Sequence, residues 1–146
     1  MRWKKLDAGP PATYAVVLAT DDEVTALLGA FVREQQIEAA GLSAIGAFER
    51  AVLGYFDWEK KDYRRIPVDE QVEVLSLLGD VAVSDGEPTL HMHAVLGKRD
   101  GSTIGGHLLE GHVRPTLEIT LIEPPAHLKK RKDPESGLAL IDLDRS

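Results

Sequence analysis

Apolar and polar positions alternate first at "ATYAVVLA", residues 12–19, a β-branched run that reads as a strand. The pattern then changes period. In "TDDEVTALLGAFVREQQ" the apolar residues Val24, Leu27, Leu28 and Phe31 recur at helical spacing, and Thr20 with Glu23 three positions later makes a capping-box pattern, so a helix is predicted over Asp22–Gln36. "AAGLSAIGAFERAVLGYFD", residues 39–57, mixes small and apolar residues, and Gly41 and Gly46 read as bends between two strands. Strand-forming residues continue over Phe48–Asp57 and Val72–Val83, and the segments "DWEKKDY" and "SDGEP" supply turns between strand candidates. One main helix with about seven strands at short spacing predicts an α+β domain packed on a mostly antiparallel sheet. A domain over residues 13–123 is expected, followed from Pro124 by a tail, residues 124–146, that is either a docked arm or disordered.

The stretch "TLHMHAVLGKRDGSTIGGHLLEGH", residues 89–112, carries four of the five histidines. Side chains alternate across a strand, so Leu90, Met92, Ala94 and Leu96 share one face, which reads as the core face, and His91 and His93 point the other way. A three-residue loop, Arg99-Asp100-Gly101 with Gly101 left-handed, pairs residues whose numbers sum to 200. That register sets Ile104 against Leu96 and Leu108 against Met92, keeping one apolar face continuous, whereas a slip of one residue would bury His107. It also sets His107 directly across from His93 and diagonal to His91. Opposed Cβ atoms in such a pair lie about 4.5–5.5 Å apart, so three imidazoles can converge. Gly105 and Gly106 are expected to keep the approach to that point open. His91, His93 and His107 are therefore the candidate metal ligands, a set suited to a divalent ion, zinc foremost. The bland alternative, three histidines hydrogen-bonded in a polar crevice, stays open at this point. His112 has the opposite parity and His127 lies in the tail, so neither joins the set. Glu118, in the following strand, is a speculative extra ligand or base.

Bulk properties narrow the classes. The 146 residues suit one domain with its own core, and 43% hydrophobic with 28% charged residues is ordinary for a globular chain. The absence of cysteine excludes disulfides, thiolate catalysis and Cys-based zinc sites. No apolar run reaches the roughly 20 residues of a membrane-spanning helix, and "MRWKKLDAGPP" lacks the apolar core of a secretory signal, so a cytoplasmic location and no membrane partner are expected. The net charge of −7 is uneven: the first twelve residues carry +2, the last twenty-two +1, and residues 13–124 carry −10. A body this acidic repels phosphates, which argues against direct DNA binding except through a local patch such as "KKRK" at 129–132.

The segments "AIGAFERAVLGYFD", "VEVLSLLGDVAV" and "GEPTLHMHAVLGKRDGSTIGGHLLEGHV" closely resemble the plant and prokaryote conserved (PPC) domain family, also called proteins with a PD1-like DNA-binding motif, from about Thr13 to Glu123. The resemblance implies a helix packed on an antiparallel sheet, association as a homotrimer, and histidines matching His91, His93 and His107 that in some members bind a metal. In plants the domain follows Arg-Gly-Arg-Pro AT-hooks, and this sequence has none. The expected role is a trimeric binding or regulatory module with a DNA-binding association that the resemblance implies at family level, and with a metal-dependent small-molecule hydrolase or lyase using the same histidines as the alternative. A small-molecule ligand is an expected partner under either reading. The residues place no general acid or base, so whether the chain is an enzyme stays open.

Overall fold

The computed structural model describes residues 1–7, 12–124 and 128–144. Among these described residues nine strands and one helix follow in the order β1 (Arg2–Asp7), β2 (Thr13–Ala19), α1 (Val24–Glu34), β3 (Ala39–Asp57), β4 (Asp62–Val68), β5 (Val72–Ser84), β6 (Glu87–Gly97), β7 (Thr103–Ile122), β8 (Lys130–Lys132) and β9 (Ala139–Ile141). Seven of them form one antiparallel sheet in the order β1-β2-β7-β6-β5-β3-β4, and a further β7–β3 pairing joins β3, β5, β6 and β7 into a closed ring. Two long strands make this closure. β7 carries β6 and then β2 along one edge while β3 runs along the other.

The helix is shorter than the pattern suggested, and its cap is different. Glu23, not Thr20, is the N-cap: its carboxylate accepts from the backbone N–H groups of Thr25 and Ala26 at 3.2 and 2.7 Å. The same carboxylate accepts from Gly111 N at 3.1 Å, so a longer acidic side chain ties the helix start to β7 where a threonine could not reach. Val24, Leu28, Phe31 and Val32 are buried, and Leu27 packs at the core margin. Each such side chain removed from water contributes about 1.5–3 kcal/mol. Phe31 meets Tyr14 of β2 edge-on with ring centroids 5.7 Å apart. The amphipathic stripe thus fixes the helix against the sheet.

Residues 39–57 are one strand rather than two. Gly41 does not bend the chain, and Gly46, with φ +154°, sits in a bulge at which the β3–β5 register shifts. A side chain at Gly46 would strike the Thr116 carbonyl oxygen. Because β5 and β7 grip opposite edges across this point, an extra residue absorbed in a bulge preserves both ladders, which a break would forfeit.

Beyond the main sheet, β8 and β9 form a small hairpin, and Val83 N donates to Leu128 O at 2.9 Å, linking this C-terminal arm to the end of β5. No helix among the described residues is long and apolar enough to cross a membrane.

Candidate metal centre

The β6–β7 hairpin has the register that the apolar faces demanded. Gly97 pairs with Thr103, Leu96 with Ile104, Ala94 with Gly106 and His93 with His107. Its loop is Arg99-Asp100-Gly101: Lys98 N donates to Ser102 O at 2.8 Å, and Gly101 takes φ +82°. Met92, Ala94 and Leu96 are buried, whereas His91 and His93 stand on the outer, exposed face. Beyond His107 the strand leaves β6, and Leu108 pairs with Leu53 of β3 instead.

One ring nitrogen from each of His91, His93 and His107 lies within 4.8 Å of the other two. The Nε2 atoms of His91 and His93 are 3.1 Å apart, and the His107 ring stacks over that of His91 at 5.3 Å. Behind His91, its Nδ1 faces Asp80 Oδ2 at 3.4 Å. A carboxylate there favours the tautomer with the proton on Nδ1, which leaves the Nε2 lone pair free on the side facing His93 Nε2. His107 is the most enclosed of the three. Its Nδ1 is buried without a hydrogen-bond partner among the described residues, and its other face stacks on Tyr63 of β4 at 4.7 Å. Burial, followed by the neighbouring His91, His93 and Lys130, lowers the His107 pKa to about 4, and burial with His91 lowers that of His93. His93 and His107 are thus biased toward the neutral form, the one that binds metal. Converging imidazoles, an oriented tautomer and an orphaned ring nitrogen fit a divalent metal. The three histidines can hold one.

Other expectations fare differently. The glycines do not open the approach: a Cβ on Gly106 would lie 2.8 Å from Gly54 O, and one on Gly105 3.1 Å from Ala94 O, so both allow close backbone packing. Glu118 lies eleven positions beyond His107 along β7, paired with Val17 and Ile45, and is not among the clustered ligands. His112 pairs with Arg50 and stays outside the cluster, and His127 lies outside the described residues.

Three further residues matter here. Asp80 sits across from His91 in the β5–β6 ladder, a pairing readable from the two-residue turn Asp85-Gly86, which pairs residues whose numbers sum to 171. Tyr63 reaches His107 only because Gly54 lacks a side chain; a Cβ there would lie 2.8 Å from Tyr63 Cδ1. Lys130, from the C-terminal arm, places Nζ 2.9 Å from Asp80 Oδ1, close enough for an ion pair but not aligned as a hydrogen bond.

The family profile described as the Plants and Prokaryotes Conserved (PCC) domain matches residues 7–124. The chain belongs to this family. Among solved structures, the PPC protein of Pyrococcus horikoshii is 37% identical with a TM-score of 0.83, over 89% of this chain and 90% of that one. A metal-containing protein of Archaeoglobus fulgidus is 33% identical with a TM-score of 0.82, over 96% of each chain. A "putative DNA binding protein" of Bacteroides thetaiotaomicron is 26% identical with a TM-score of 0.89, over 98% of this chain and 99% of that one. A curated relative is the bifunctional protein GlmU of a Synechococcus strain, 29% identical over 99% of this PPC-family chain, which spans only 22% of that protein.

Proposed function

We propose that this chain is a homotrimeric binding or regulatory module in which His91, His93 and His107 hold a divalent metal, zinc first among candidates. The observation that carries the reading is the convergence of three ring nitrogens within 4.8 Å, with Asp80 oriented behind one of them. The similar Archaeoglobus protein, described as metal-containing, supports it. When bound, such a metal supplies Lewis acidity and an anchor for electron-rich ligand atoms. The chain's own residues do the rest: Asp80 orients His91, burial keeps His107 unprotonated, and Tyr63 covers one face of its ring. The trimer is supported by large apolar side chains exposed on the neighbouring strands β3, β5 and β6, namely Ile45, Leu75, Leu78 and Val95. Leu78 stands directly across from His93, so this apolar surface adjoins the histidines. Direct duplex binding is not part of this reading, since the body carries −10 over residues 13–124.

Metal analysis of the purified wild type beside a His91→Ala, His93→Ala double variant tests the site. The expected result is about one metal per chain in the wild type and none in the variant, because two of three ligands are gone. Equal metal content in the two overturns the assignment. Sedimentation equilibrium at low protein concentration tests the trimer, and a monomer mass would refute it.

A further inference from the structure

The C-terminal arm brings a lysine into the neighbourhood of the histidines. Lys130 has a side chain only 5% exposed, and its ammonium faces Asp80 Oδ1 at 2.9 Å. Among the described residues it has no other acidic partner and no aligned hydrogen bond, although an ammonium carries three donors. The ammonium is not sealed from water as Asp80 Oδ1 and His107 Nδ1 are, so its donors beyond the Asp80 contact stay open to water or to a ligand. Asp80 connects it to the cluster, since the other oxygen of that carboxylate, Oδ2, faces His91 Nδ1 at 3.4 Å.

The local charge balance points the same way. Imidazoles that bind a metal through a ring nitrogen bring no charge to offset it, and the Asp80 carboxylate that faces His91 is offset by Lys130 itself. A divalent ion on the triad would therefore leave about two positive charges unbalanced, in a place where His93 is exposed and the His91 side chain is 46% exposed. Such a centre attracts a negatively charged ligand from solvent more strongly than a neutral one.

We propose that Lys130 is a second anchor of this site and that the ligand it helps select is a small oxyanion, the carboxylate or phosphate group of a metabolite. This rests on the metal reading above and adds the ligand class. It also assigns a function to the arm, since Lys130 lies beyond residues 7–124, where the family profile ends.

The test uses the full chain loaded with cobalt(II), whose visible absorption reports both metal occupancy and the arrival of a ligand. Acetate, inorganic phosphate and neutral imidazole are titrated separately into the wild type, Lys130→Arg and Lys130→Met. The expected result is saturable binding of acetate or phosphate to the wild type, weakened about tenfold in Lys130→Met and largely retained in Lys130→Arg, with imidazole binding alike in all three. Acetate binding more tightly than phosphate identifies a carboxylate ligand, and the reverse identifies a phosphate. A double variant, Asp80→Asn with Lys130→Met, keeps the net charge of the pair at zero. Weak anion binding there, at a cobalt occupancy matched to the wild type by absorption, shows that the ammonium itself is needed, and wild-type binding there overturns the proposal. Unchanged anion affinity in a folded Lys130→Met, or a wild type that takes imidazole but neither anion, overturns it while leaving the metal site standing. Failure of the wild type to bind cobalt removes the metal reading and this inference together.

Discussion

His93 stands directly across from His107 in the β6–β7 ladder, with ring centroids 5.3 Å apart and ring planes at 86°. The pairing is decided at the other end of the hairpin, where Gly101 closes a three-residue loop at φ +82°. A β-branched residue tolerates that conformation poorly. Gly101→Val is expected to lower stability by about 1–2 kcal/mol, measured by urea unfolding. Nothing lies within 4 Å of the position a Cβ would take, so the loss would come from the backbone alone. Unchanged stability would mean that the loop holds the register by some other contact.

The cap at Glu23 gives a second test. Four hydrogen bonds converge on its carboxylate, from Thr25 N, Thr25 Oγ1, Ala26 N and Gly111 N. Burial alone would raise the pKa of this side chain, but those hydrogen bonds outweigh it and hold the pKa below the usual 4.5. Glu23→Ala is expected to cost about 1–2 kcal/mol in chemical unfolding, since it uncaps the helix and leaves Gly111 N without its acceptor. Thr20→Ala, at the position that the sequence pattern favoured, should cost much less. Equal losses from the two would refute the assignment of the cap.

How much was readable in advance follows from how local each determinant is. The His93–His107 pairing and the buried face of Met92, Ala94 and Leu96 depend on one hairpin and its loop, so parity and turn chemistry were enough. Asp80 across from His91 depends on the neighbouring Asp85-Gly86 turn, and the same arithmetic would have found it. Tyr63 against His107 could not be found this way, because it needs β3 to pair with β4 on one edge and with β7 on the other. Gly46 misled for a related reason: a glycine in a bulge and a glycine in a bend look alike until both neighbouring strands are known. The contribution of Lys130 arises from an arm whose docking no periodicity announces.

Protonation gives a third prediction, for the metal-free protein. The His107 pKa in the fold is about 4, against 6.5 for an unperturbed imidazole. Between those values the unfolded chain takes up a proton that the folded chain refuses, so acid favours unfolding. The contribution is absent above pH 6.5 and grows as pH falls toward about 4. Urea midpoints measured across that range should therefore fall less steeply in His107→Gln than in the wild type. Parallel curves for the two proteins would show that His107 is not held neutral by the fold.

Gly54 supplies a fourth prediction, on packing beside the site. Its missing side chain admits the Tyr63 ring, which then covers His107. Gly54→Val should push the ring away and cost about 1–3 kcal/mol, read by thermal unfolding together with a change in tyrosine fluorescence. Loss of stability without any change at Tyr63 would place the strain elsewhere along β3.

Asp80 is the positioning residue on which the metal reading leans most. Its Oδ2 faces His91 Nδ1 at 3.4 Å while Oδ1 faces Lys130 Nζ at 2.9 Å, so one carboxylate orients a ligand and holds the arm. Asp80→Asn keeps the shape of the side chain but removes the charge that favours a proton on Nδ1. The freed ring can then turn or change tautomer, and the arm loses its ion pair. Zinc affinity measured by competition with a chromophoric chelator is expected to fall about tenfold. Protease cleavage within residues 128–144 is expected to accelerate in the same variant. A purely structural role would move the second measurement and leave the first unchanged, so unaltered zinc affinity in a folded Asp80→Asn protein would rule out the orienting role of this carboxylate.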